Sequence, residues 1–140
     1  METITLTLFI LACGSWTGAI LFHSAVVAPL TFKHLPADLA GVFLRALFPR
    51  FFIFGLVCGA IMLAATVAMT ISGDSVGRLL TGTLVMLLLE AISLAMVPAI
   101  NRARDEGRKQ AFGRLHGASV LLTLAILAIG IALLVAVAAA

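Results

Sequence analysis

Charged side chains are scarce in this sequence: nine basic and six acidic residues make up 11% of the chain. A soluble domain carries roughly 25%, so the shortage excludes an ordinary water-facing surface. Tyrosine is absent and tryptophan occurs once. Basic residues interleaved with stacking aromatics are therefore missing, and the net charge of +3 does not point to nucleic acid. The two cysteines, Cys13 and Cys58, lie in separate apolar runs and form no CxxC pair. Each reads as a small buried hydrophobe rather than half of a disulfide or soft-metal site. There is no HxxH or HExxH pattern and no Gly-rich phosphate loop between a strand and a helix. No nucleophile–base–orienter set is visible. Ser15, Ser24, Ser93 and Ser119 all have helix-packing explanations, so an enzyme is not the expected class.

Apolar residues are abundant, at 63% of the chain. Four segments approach the roughly 20 apolar residues a membrane-spanning helix needs: Ile4–Ala28, Pro49–Ile71, Leu79–Ile100 and Leu115–Ala138. Backbone amides in lipid must be satisfied within the segment, which selects helices, and the alternation of a barrel strand is absent. "METITLTLF" has no Lys or Arg before its apolar run, so it is read as a mature helix rather than a signal peptide. Breaks are expected at Pro29 and Pro36, at "SGDSVG" (72–77) and in the charged connector "NRARDEGRKQ" (101–110). "ADLAGVFLRALF" (37–48) reads as a short interfacial helix with Asp38 as its N-cap, or as the first turns of one long helix kinked near Pro49. The expected fold is all-α: one integral-membrane four-helix bundle over residues 1–140, with a short interfacial helix between the first and second spans.

The basic residues set an orientation. Lys33, Arg45, Arg50, Arg102, Arg104, Arg108, Lys109 and Arg114 flank the first and third loops, while the other side has only Arg78. By the positive-inside rule those two loops face the cytoplasm and both termini face away from it. The same residues suit anionic lipid headgroups. Three GxxxG spacings, at 14–18, 55–59 and 113–117, predict close helix packing within the chain, with a homodimer seam as the alternative.

Polar residues inside the apolar layer are the candidates for function. Glu90 lies roughly 12 Å inside the end of the third span. A charged acid there costs about 2.5–3.5 kcal/mol, tolerable when the group faces the bundle, is paired, or is protonated. Ser93, Val97 and Asn101 continue its stripe. His23 sits on the first span, on a face with Trp16, Ala19 and Ala12. His116 opens the fourth span, with Ser119, Thr123 and Gly130 on its stripe. His116, His23 and Glu90 are expected to form a ladder from shallow to deep, with His23 as the counterpart of Glu90. Imidazole and carboxylate suit a transition metal, two imidazoles could ligate haem, and the same set suits a proton relay. The leading expectation is a protein that handles a metal ion or metal-containing cofactor. The alternatives are a proton-coupled small-solute transporter and an accessory subunit in which the ladder makes only interhelical hydrogen bonds.

"HSAVVAPLTFKHLP" (23–36), "AGVFLRALFPRFF" (40–52) and "AFGRLHGAS" (111–119) together resemble the transmembrane protein 205-like family, small four-span proteins with a domain of unknown function. The resemblance puts weight on Leu35, Pro36, Leu47, Phe48, Pro49, Phe52, Phe112, His116, Gly117 and Ser119. The short connector at 101–110 is like the compact bacterial form, which implies a bacterial cytoplasmic membrane. A eukaryotic member's association with tolerance of metal-containing compounds is the resemblance's one hint of activity.

Overall fold

A computed structural model describes residues 2–71 and 76–139. The described chain is almost entirely helical, with four helical spans long and apolar enough to cross a membrane: Thr3–His34, Ala37–Ile71, Gly77–Asp105 and Lys109–Ala138. The first span is composite. It consists of α1 (Glu2–Phe22), a π-helical segment (His23–Val27) and α2 (Ala28–His34). The others are α3 (Ala37–Ile71), α4 (Gly77–Asp105) and α5 (Lys109–Ala138). The turn expected at 72–77 falls mostly outside the described residues; Gly77 already begins α4.

Proline explains the composite span. Pro29 has no N–H, and its ring crowds the carbonyl four residues back. The chain widens its coil just upstream, so that the Ala28 N–H bonds the His23 carbonyl five residues earlier. Pro29 then takes an early position in α2, and the helix runs on to His34. The break expected at Pro29 is thus a π segment, and the true break is at Leu35–Pro36. Leu35, preceding proline, is extended at φ −106 and ψ 135.

Of the two readings of residues 37–48, the structure adopts the long helix. α3 runs unbroken through Pro49, so there is no separate interfacial helix. Its 35 residues at ~1.5 Å rise make a rod of roughly 52 Å. That exceeds a hydrocarbon layer of about 30 Å. Part of α3 must therefore extend past the apolar layer, and its first turns hold the charged Asp38 and Arg45. The connector expected at 101–110 is shorter than the charge pattern suggests, because α4 runs to Asp105 and α5 starts at Lys109. Gly107, at φ 66, closes α4. Its N–H bonds the Arg104 carbonyl and the Arg108 N–H bonds the Ala103 carbonyl, which is the Schellman pattern.

Each span packs against its sequence neighbours, and α1 also meets α5, which closes an up-and-down bundle. Phe9, Ala12, Cys13, Trp16 and Ile20 form one buried stripe of α1, facing Cys58, Met62 and Ala65 of α3, Met86 of α4 and Ile126 of α5. The α2–α3 and α4–α5 junctions share one end. Arg45 binds Asp105 through two hydrogen bonds of 2.6 and 3.0 Å, and the Arg104 guanidinium crosses Gly41 to donate to the Ala37 carbonyl at 3.0 Å. Lys33, Arg45, Arg50, Arg102, Arg104, Arg108, Lys109 and Arg114 are all exposed. Many Leu, Ile, Val and Phe side chains along the spans are exposed too, as lipid contact requires.

The three GxxxG spacings divide. Gly55 and Gly59 are buried, and a Cβ on either would collide with Trp16 or Leu87. Gly14, Gly18, Gly113 and Gly117 meet nothing within 4 Å. Packing within the chain uses only the 55–59 spacing.

Candidate functional site: a buried acid beneath an aromatic cavity

Glu90, Ser93 and Val97 lie on one face of α4 and are 1%, 0% and 7% exposed. The Glu90 carboxyl is not met by an imidazole. The Trp16 indole N–H donates to its Oε1 at 2.5 Å. The expected pairing of Glu90 with His23 is therefore corrected: α1 supplies its indole, two turns earlier on the same face as His23. Gly55 of α3 permits this. A Cβ there would stand 2.6 Å from the Trp16 ring and 2.9 Å from the Glu90 carboxyl carbon. A bare stretch of backbone lets ring and carboxyl come together. The other oxygen, Oε2, is buried without a protein partner, and so is the Ser93 hydroxyl one turn away.

His23 opens the π segment. Its ring packs between Phe48 and Phe51, with centroids 5.5 and 5.0 Å away, and Phe51 leans on Trp16 at 4.6 Å. Phe51 thus packs against both the imidazole and the indole. The His23 Nδ1 atom is buried and has no protein partner. π segments of this kind re-aim side chains by inserting one extra residue per turn, and they recur at functional sites.

His23 lines a cavity of about 280 Å³ between the first span, α3, α4 and α5. Phe32, Phe48, Phe51 and Phe52 supply its aromatic wall. Asn101, His116, Ser119 and Thr123 supply polar groups opposite. Val97 also lines it, so the α4 stripe leads from the cavity through Ser93 to Glu90. The Thr123 hydroxyl donates to the Ser119 carbonyl at 2.9 Å, which leaves its oxygen free to accept. His116 is exposed and stacks on Phe112, with ring planes 2° apart and centroids at 5.6 Å.

The expected ladder therefore divides. His23 and His116 share the cavity, while Glu90 lies outside its lining, beneath it. Among the described residues no three His, Cys, Asp or Glu side chains stand where they could hold one metal ion. Of the stripe residues, Asn101, Ser119 and Thr123 reach the cavity and Ser93 does not. Of the motif residues, Leu35 and Pro36 make the helix break, and Phe48 and Phe52 form cavity wall. Pro49 sits inside α3, Leu47 is half-buried and Phe112 holds His116.

Sequence reasoning missed Phe51; it put Trp16 on the His23 face and Gly55 in a close-packing spacing, but did not join either to Glu90. A signal existed for Trp16. Membrane tryptophans favour the interfaces, and one in mid-span must find a partner for its N–H. The residue two turns before His23 was that tryptophan, and the one carboxyl in mid-span was Glu90.

Residues 11–109, from mid-α1 to the start of α5, match the family described as domain of unknown function DUF4149. No curated protein and no solved structure matches the chain.

Proposed function

The chain belongs to the DUF4149 family, and from that premise we propose that it is a membrane carrier that binds a small amphipathic solute in the cavity between its spans. The observation that carries this reading is the composition of the cavity. One wall is phenylalanine, and His23, Asn101, His116, Ser119 and Thr123 add imidazole, amide and hydroxyl groups. At ~30 Å³ per water, the space of about 280 Å³ is large enough for a small organic molecule. An aromatic or short aliphatic body would lie against the phenylalanines, and a polar head would meet His23, Asn101 or Thr123.

In this reading the end bearing the α2–α3 and α4–α5 junctions is cytoplasmic, and its exposed basic residues meet anionic headgroups. The chain is a compact relative of the transmembrane protein 205-like proteins. The motif stretches 23–36 and 40–52 lie within the matched region, and 111–119 lies just beyond it.

Fluorobenzyl alcohol, a small ring with one hydroxyl, is a suitable probe. Fluorine NMR of the purified protein in lipid nanodiscs should show a bound resonance that saturates, distinct from the lipid-partitioned one. Thr123→Phe, which fills the cavity, should abolish it. A probe signal that grows linearly and is the same in Thr123→Phe would overturn the reading. A second reading keeps a metal ion, because both His23 and His116 open into the cavity. It requires zinc or copper at stoichiometric level in the purified protein and its loss in His23→Ala.

A further inference from the structure

We propose that Glu90 is a proton-exchange site, connected to the cavity through an internal water that bridges Glu90 Oε2 and Ser93 Oγ. Both atoms are buried, and neither has a hydrogen-bond partner within the protein. They belong to side chains three residues apart on one helix face, where neighbours stand about 5–6 Å apart. Two hydrogen bonds through one water suit that spacing; both atoms are nearly without accessible surface, so the water enters when neighbouring side chains shift. Val97, the next residue along the stripe, lines the cavity. At ~1.5 Å per residue, Ser93 is roughly 6 Å along α4 from Val97 and Glu90 roughly 10 Å. Ser93 and Glu90 lie behind Val97 and outside the cavity lining, so in this proposal the exchange requires the side chains around Val97 to part.

The groups facing Glu90 leave it as the exchanging acid. From α1 comes Trp16, which donates to Oε1 and does not titrate, with Cys13 and His23 farther along. From α3 comes Cys58, a buried free thiol. The ionisable residues of α5 are Lys109, Arg114 and His116, all in its first turns. The step is a simple exchange. The water gives a proton to Oε2 and is reprotonated by the next water in the cavity, and no heavy-atom bond changes. The Trp16 bond fixes Oε1, so the proton is carried on Oε2.

This inference deepens the carrier reading by adding a coupled proton, but its test does not depend on solute binding. With one tryptophan and no tyrosine, the intrinsic emission of the protein comes from Trp16, in direct contact with Glu90. Emission of the full chain in nanodiscs should change in one sigmoidal step as pH is varied over about 4 to 9. The step should survive in Cys58→Ser and vanish in Glu90→Gln, which keeps an acceptor for the indole. After a rapid pH jump, Ser93→Ala and Val97→Phe should reach the same end point more slowly. Should Glu90→Gln fail to fold, infrared difference spectra of the wild type give the same answer through a protonated-carboxyl band. Emission that is flat with pH, a step that persists in Glu90→Gln, or a rate indifferent to Ser93 and Val97 would each overturn the proposal. A pH step with no saturable probe binding would sink the carrier reading and leave this one standing.

Discussion

Trp16 and Glu90 are 74 residues apart in the chain, and the indole N–H of one donates to the carboxyl of the other at 2.5 Å. The bond joins the first span to α4 across the bare backbone of Gly55 on α3. Three helices are therefore held in register by one tryptophan, one acid and one absent side chain. A buried donor or acceptor left alone costs about 1–3 kcal/mol, so the pair stabilises the bundle mainly by sparing both groups that fate.

Gly55→Ala should loosen this junction. Its Cβ would meet the Trp16 ring and the Glu90 carboxyl, neither of which is the free end of a flexible chain. Overpacking of this kind costs about 1–3 kcal/mol. Unfolding in a detergent titration should show the loss, and Trp16 emission should shift to longer wavelength. Gly113→Ala, where a Cβ meets nothing, should be close to neutral.

Removing one partner should hurt more than removing both. Glu90→Leu leaves the indole N–H unpaired, and Trp16→Phe deprives the buried carboxyl of its one partner from the protein. The double variant should be more stable than the sum of the two losses predicts, with a coupling of about 0.5–3 kcal/mol. Additive losses in the same unfolding assay would mean that the two groups do not act on each other.

His23→Phe should separate stability from binding. The ring packs between Phe48 and Phe51, and its buried Nδ1 has no protein partner. An apolar ring of similar shape keeps the packing and removes the lone polar atom. The melting temperature should hold or rise, while binding of the fluorobenzyl alcohol probe weakens. A large drop in stability would show that the imidazole is structural.

The orientation proposed from the basic residues predicts where reporters work. Alkaline phosphatase fused after Ala139 or inserted within 72–75 should be active in a bacterial cell, and a fusion after Gly107 inactive. The opposite pattern would put the basic end outside the cytoplasm.

The four spans were legible because each is a long apolar run, and apolar length is a property of a single segment. The shared end of the two junctions was legible from charge, and Arg45–Asp105 and Arg104–Ala37 are the contacts that tie it together. Glu90 was legible as a residue needing a partner. Which partner was not, because spacing fixes the face of a helix but not its rotation against the next one. His23 and Trp16 share a face of the first span, and the π segment beginning at His23 turns that face differently on either side. Seven residues, roughly 10 Å, separate the two along that face, so the indole meets the acid while the imidazole lines the cavity. Pro49 misled for a local reason. Proline weakens a helix by one hydrogen bond, and the packing of α3 against two neighbours outweighs that loss.

The most direct test is the nitrogen–proton correlation spectrum of the protein with labelled tryptophan, which holds one indole resonance because Trp16 is the only tryptophan. The account predicts a signal shifted well downfield, slow to exchange with deuterated water, retained in Glu90→Gln and moved sharply upfield in Glu90→Leu. An indole signal at the position of free tryptophan, or one unmoved by Glu90→Leu, would contradict it.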